Sequence, residues 1–202
     1  MNEKYLNYNI IPIGDHCAIS MILKELGLRR KSYPFDWIMH TEGIHNTNII
    51  QNVELIDLLK IKTIENIVKL FIDNAFDNEN KTNSKNICFP HDTEEVCEIF
   101  TKYERRFNRI LEDLNKNNIF ILLTRHYYID ENTFNKIKQV LLRDNDNSII
   151  LFISGTNHIY FENKKDERVI FKFIHYDVSK FSDYDYYSFR PNVKEFLSKL
   201  LL

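Results

Sequence analysis

The sequence predicts an α/β fold: a three-layer sandwich with a mainly parallel sheet and a helical insertion after the first strand. Three observations lead there. Ile10–Ile13, Ile119–Leu123 and Ser148–Ile153 are short, continuous apolar runs, the pattern of strands buried on both faces. Segments of helical spacing lie between them, as strand–helix–strand units require. Helical segments over residues 41–75 and about Val96–Leu114, with a polar loop between them, separate the first run from the second.

The elements follow in order. Residues 1–9 are a polar lead-in to the first strand, Ile10–Ile13, and Gly14 permits a tight turn after it. Asp15 is placed to cap a helix over about His16–Leu26, with His16 and Cys17 in its first turn. Ile19, Ile22, Leu23 and Leu26 mark its apolar face, and Gly27 suits its end. Ser32–Trp37 is an irregular turn in which Pro34 keeps Tyr33 extended and Phe35 and Trp37 anchor the loop. Two helices follow, apolar at Ile49, Ile50, Val53 and Ile56 and then at Ile64, Ile67, Val68 and Phe71, with a break near Lys60–Lys62.

Residues 77–86 are a polar loop, and Ile87–Pro90 reads as a brief strand or extended entry. Asp92, with Glu95 three residues on, resembles a capping box for the clearest helix, apolar from Val96 to Leu114. Ile119–Leu123 is the second strand. Asp130 caps a further helix bearing Phe134, Ile137, Val140 and Leu141. After Ser148–Ile153, Tyr160-Phe161 and Val169–Ile174 read as two strands around a charged turn, the pattern of a hairpin. A last helix starts at Pro191.

At 202 residues with 44% hydrophobic content, the chain fits one domain, 1–202, with a sizeable core. A net charge of −2 argues against general nucleic-acid binding. No apolar run reaches the ~20 residues of a membrane span, and MNEKYLNYN lacks a signal-peptide core, so the expected location is cytoplasmic. Cys17, Cys88 and Cys97 are an odd count without C-x-x-C spacing, which disfavours a disulfide framework. His40 and His45 lack metal-ligand spacing and no Gly-rich phosphate loop is present, so no metal or other cofactor is expected. Asn occurs 23 times, scattered, and no single Asn is read as functional from its presence. Oligomeric state is not legible.

The stretch Ile10–Trp37 concentrates the unusual residues: the only Trp, one of four Gly, two of four Pro, and Cys17 near a helix start. A thiol there lies at the positive end of the helix dipole, which favours the reactive thiolate. Gly14, Cys17, the Leu26-Gly27-Leu28-Arg29 helix end and Ser32-Tyr33-Pro34-Phe35-Asp36-Trp37 carry a resemblance. So, more weakly, do Phe89–Asp92 and Ile119–Arg125. They resemble the opening of a domain-of-unknown-function family, found in bacteria and large DNA viruses, described as papain-like cysteine peptidases. The resemblance implies a thiol-dependent hydrolase. Two features depart from papain: no glutamine precedes Cys17 to form an oxyanion hole, and strand–helix alternation fits a doubly wound sheet better than two lobes.

The candidate catalytic set is Cys17 as nucleophile, His91 as general base, and Asp36 or Asp92 as the carboxylate orienting the imidazole. A capping Asp92 does not easily also hold the adjacent ring, which favours Asp36 or no orienter. Gly14, Asp15, His16, Trp37, Arg125 and His126 are candidate substrate-binding residues, Arg125 as an anion clamp or a structural ion pair. Gly14–Cys17, Thr124–His126 and Ser154–Asn157 all fall at strand carboxyl ends, where open parallel sheets bind ligands. Two readings compete. One is a hydrolase or acyl transferase acting on a peptide or acyl bond. The other is a non-catalytic module binding a small anionic ligand or a protein partner at the strand ends.

Overall fold

The computed structural model describes residues 3–14, 17–40, 47–72, 77, 82, 87–125, 128–161, 166–176 and 189–202. Four strands form the main sheet: β1 (Asn9–Gly14), β4 (Asn118–Thr124), β5 (Ile149–Ser154) and β6 (Val169–Phe173). Their order is β1-β4-β5-β6 and each neighbouring pair is parallel. The register sets Gly14 opposite Leu123 and Thr124 opposite Ser154. A second small sheet pairs β2 (Met39–His40) antiparallel with β3 (Ile87–Cys88).

Side-chain alternation along the strands builds two cores. Ile11, Ile13, Phe120, Leu122, Ile150 and Phe152 face α2 (Thr47–Leu58), α3 (Ile64–Ile72), α4 (Val96–Asp113) and α5 (Glu131–Leu141). Ile119, Ile121, Leu123, Leu151 and Ile153 face α1 (Ala18–Glu25) and α6 (Phe189–Leu201). The result is the expected three-layer α/β sandwich, with α2 and α3 inserted after the first strand. Among the described residues no helix is long and apolar enough to cross a membrane.

Local signals explain several boundaries. Gly27, at φ +68°, ends α1: its N–H donates to the Lys24 carbonyl and that of Leu28 to the Leu23 carbonyl. Asp130 caps α5 by accepting from the Thr133 N–H at 2.9 Å. The break between α2 and α3 falls at residues 59–63. At the amino ends of β1 and β4, buried Asp113 accepts from Lys31, Lys116 and the Tyr33 hydroxyl. The Asn118 amide donates there to the Asp113 and Lys116 carbonyls. These bonds tie the turn after α1 to the end of α4.

Tertiary partners override other local readings. Asp92 does not cap α4: the N-cap is Glu95, whose side chain makes no capping bond. The Asp92 carboxylate is buried and bonded to Lys102 and Tyr103 further along that helix. Val169–Phe173 is no hairpin partner of Tyr160-Phe161. Ile159–Phe161 is a 3-10 turn and β6 runs parallel beside β5. Cys17 is the N-cap of α1, one step before its first turn, with φ −65° and ψ −8°. The capping expectation for Asp15 lies outside the described residues. α6 starts at Phe189, with Pro191 inside its first turn, where a missing N–H costs nothing. Of the two expected loop anchors, Phe35 is fully buried, edge-on to Phe71 and Phe107 with 6.0 Å between centroids. Trp37 is half-buried.

Candidate active site

The chain leaves β1 at Gly14, β4 at Thr124 and β5 at Ser154, three adjacent carboxyl ends of the sheet. The last two are stitched together. Thr124 Oγ1 donates to Ser154 Oγ at 2.9 Å, the Gly155 N–H donates to the Thr124 carbonyl at 2.9 Å, and the Thr156 N–H donates to Ser154 Oγ. Arg125, 7% exposed, follows directly. Gly155 is required here: an added Cβ would sit 1.8 Å from the Arg125 carbonyl oxygen.

Cys17 follows β1 by three residues and begins α1. Its carbonyl accepts the Met21 N–H at 3.1 Å, and its side chain makes no capping bond. The residue is 5% exposed. Its neighbours Ala18 and Ile19 pack on the α6 side of the sheet. Asp15, His16 and His126 lie outside the described residues.

A residue not singled out in the sequence reaches the same strand end. Asn52, fully buried on α2, donates from Nδ2 to the Gly14 carbonyl at 3.3 Å. Its Oδ1 is buried with no hydrogen-bond donor among the described residues. Asn52 shares a helix face with Ile49, Val53 and Ile56, at i−3, i+1 and i+4, so an amide interrupts an otherwise apolar stripe. That interruption was the available signal.

The residues expected to act on the imidazole form a different group. Asp36 is fully buried, and its Oδ2 accepts from Arg29 Nε at 2.9 Å and Arg29 Nη2 at 2.6 Å. Arg29 also donates to Ser32 Oγ and lies over the Trp37 ring at 5.0 Å. Burial pushes the Asp36 carboxyl above its ordinary value, against the opposing pull of Arg29. The His91 ring is exposed and meets the Trp37 ring at 5.1 Å, nearly edge-on. Asp92 accepts from Lys102 at 2.5 Å and from Tyr103 at 2.8 Å, so both of its oxygens serve α4. The structure therefore joins His91 to Trp37 and Arg29 to Asp36, and it commits both oxygens of Asp92 elsewhere.

Another histidine also escaped the sequence reading. His158 is fully buried, its Nε2 accepting the Ile129 N–H at 3.0 Å and its Nδ1 lying 2.8 Å from the Thr156 carbonyl. The first bond fixes Nδ1 as the protonated nitrogen. Burial pushes its pKa down, against the Thr156 carbonyl. It is a neutral structural pin. Among the described residues, no group of three His, Cys, Asp or Glu side chains is arranged to hold a metal ion.

No curated protein and no solved structure matches the chain. Residues 8–149, well over half of the 202, match the family model described as "Putative papain-like cysteine peptidase (DUF1796)", and the chain belongs to that family.

Proposed function

We propose that the protein is a cysteine-dependent hydrolase of peptide or acyl bonds, with Cys17 as nucleophile and His91 as general base. The observation that carries this reading is the placement of Cys17. It stands at the N-cap of α1, just past the carboxyl end of a strand in a parallel sheet. Helix-start N–H groups favour a thiolate and can receive an oxyanion. Family membership supports the same chemistry. Of the three histidines whose side chains are described, His158 is locked in structural bonds. His175 follows β6, the strand farthest from β1 in the sheet. His91 is exposed and has neither restriction. With Asp36 and Asp92 held by Arg29, Lys102 and Tyr103, the pair acts as a Cys–His dyad without an orienting carboxylate.

In the proposed reaction the Cys17 proton passes to the His91 imidazole as sulfur bonds to the carbonyl carbon, and the C=O π electrons move to oxygen. Collapse of this intermediate breaks the bond to the leaving amine or alkoxide, which takes the proton from the imidazolium. Water then attacks the thioester and gives a proton to His91. Loss of the thiolate sulfur, reprotonated by the imidazolium, releases the carboxylic acid and restores Cys17. Arg125 is proposed to bind a substrate carboxylate at the neighbouring strand end. Gly14, with Trp37 beside His91, completes the proposed binding set, to which Asp15, His16 and His126 belong only as sequence expectations.

The burial of both Cys17 and Arg125 favours a second reading, a module that binds a small anion at the strand ends without chemistry. Alkylation with iodoacetamide, followed by peptide mass mapping, separates the two. The hydrolase reading expects Cys17 to label faster than exposed Cys97 at mildly acidic pH, and His91→Ala to slow Cys17 alone. Cys88, whose thiol burial pushes up, is the slow reference. Cys17 labelling no faster than Cys88 would leave the binding reading.

A further inference from the structure

β4 and β5 are joined through α5, the usual kind of connection between parallel neighbours. Between β5 and β6 the described residues form only the 3-10 turn Ile159–Phe161. A cavity of about 230 Å³ lies between that turn, α5 and β6. Its walls follow from two periodicities. Glu131, Phe134 and Lys138 share one face of α5, at i, i+3 and i+7, and Val169 and Phe171 share one face of β6, at i and i+2. Phe161 stacks on Phe171 with ring centroids 4.5 Å apart and meets Phe134 edge-on at 4.8 Å. Phe134 is buried, but Phe161 and Phe171 are only half-buried, so both rings keep apolar surface for a further partner. On the polar wall, Lys138 Nζ donates to Asp166 Oδ2 at 2.9 Å, and the two side chains remain 34% and 35% exposed. Burial pushes the Asp166 carboxyl up, but the bonds from Lys138 and the Arg168 N–H outweigh it and hold the group below its ordinary value.

We propose that this cavity binds a free aromatic amino acid, its ring against Phe161 and Phe171 and its ammonium and carboxylate beside Asp166 and Lys138. Volume and charge each narrow the class. Drug-sized ligands occupy pockets of roughly 300–1,000 Å³, so this smaller space suits one ring with a short polar arm. A lysine ammonium has three donors and a carboxylate about four acceptor positions, so the pair keeps its mutual bond and still receives opposite charges from a ligand. A simple anion beside Lys138 is repelled by Asp166 and Glu131, and a simple cation beside Asp166 is repelled by Lys138. A zwitterion gains from both charges. β6 is the strand farthest from β1 in the sheet, and the site is independent of the chemistry proposed for Cys17.

Calorimetric titration of the full chain with L-phenylalanine tests this. N-acetyl-L-phenylalanine amide keeps the ring and lacks both charges, and L-leucine keeps the charges and lacks the ring. L-Phenylalanine should bind at least about tenfold more tightly than either, the effect of losing one charge-assisted contact. Lys138→Gln removes a partly exposed ammonium without opening the core. It should weaken L-phenylalanine by about tenfold and leave the neutral amide unchanged. Asp166→Asn gives the same reading from the opposite charge, and Phe161→Leu should weaken both aromatic probes but not leucine. Urea unfolding identifies the variants that keep the wild-type fold. No binding heat from the wild type with ligand above about 1 mM overturns the proposal. Equal affinity for the neutral amide overturns recognition of a zwitterion. Undiminished binding of L-phenylalanine in the folded variants puts the ligand elsewhere and overturns the site.

Discussion

The Tyr103 hydroxyl donates to Asp92 Oδ2 at 2.8 Å, and that bond decides what the carboxylate beside His91 does. Burial pushes the Tyr103 hydroxyl well above its ordinary value, and the Asp92 charge adds to this against the pull of Arg106. The hydroxyl stays protonated and remains a donor. With Lys102 on the other oxygen, Asp92 fastens the segment before α4 to the second turn of that helix. Tyr103→Phe removes one donor from a buried carboxylate and is expected to cost about 1–2 kcal/mol in urea unfolding. Cys17 alkylation should be unaffected. A clear change in that rate with no change in stability would give Asp92 a role in the site.

His158 supplies a pH test of a second buried hydrogen-bonded group. Its folded pKa lies below the ordinary value of 6.5, because burial disfavours the cation. Below the unfolded pKa the unfolded chain takes up a proton that the folded chain refuses. The stability associated with the neutral ring is therefore complete above about pH 6.5 and is lost as pH falls through the folded pKa. His158→Gln, which does not titrate, should be the less stable protein near neutrality. The advantage of the wild type should shrink steadily as the pH is lowered below the ordinary imidazole value. A stability difference that stays constant over this range would mean that the ring is not held neutral.

Much of this architecture was legible because β1, β4 and β5 are apolar without interruption, so burial on both faces and parallel pairing followed directly. The strand at Val169–Ile174 was legible too, but its parallel pairing was not, because among the described residues only a 3-10 turn stands between it and β5. A turn of charged residues between apolar runs points locally to a hairpin, yet the 3-10 turn at Ile159–Phe161 carries the chain across and the strand pairs parallel. The capping pattern at Asp92 was a sound local signal overruled by Lys102 and Tyr103. The gathering of strand ends was legible, since carboxyl ends of neighbouring parallel strands must coincide. Asn52 and His158 were not. One is a single Asn among 23, and its role depends on which face of α2 meets β1. The other is fixed by backbone atoms of Ile129 and Thr156, which no side-chain pattern reveals.

Gly155 tests whether the packing of the strand ends matters to the whole sheet. A Cβ at this position would meet the Arg125 carbonyl oxygen at 1.8 Å and Tyr176 Cβ at 2.5 Å. Both obstacles lie at or next to the main chain, so rotamer changes cannot relieve them. Relief requires β5 to part from the segment after β4, breaking the Gly155 N–H bond to the Thr124 carbonyl. Gly155→Ala is therefore expected to cost about 3 kcal/mol in urea unfolding, at the upper end for overpacking. The displaced Arg125 backbone should also weaken any anion bound there, measurable by calorimetry against the same carboxylate ligand as wild type. A loss under about 1 kcal/mol would show that the two strand ends move apart freely, and the close approach of Gly155 to Arg125 would then contribute little to holding the site together.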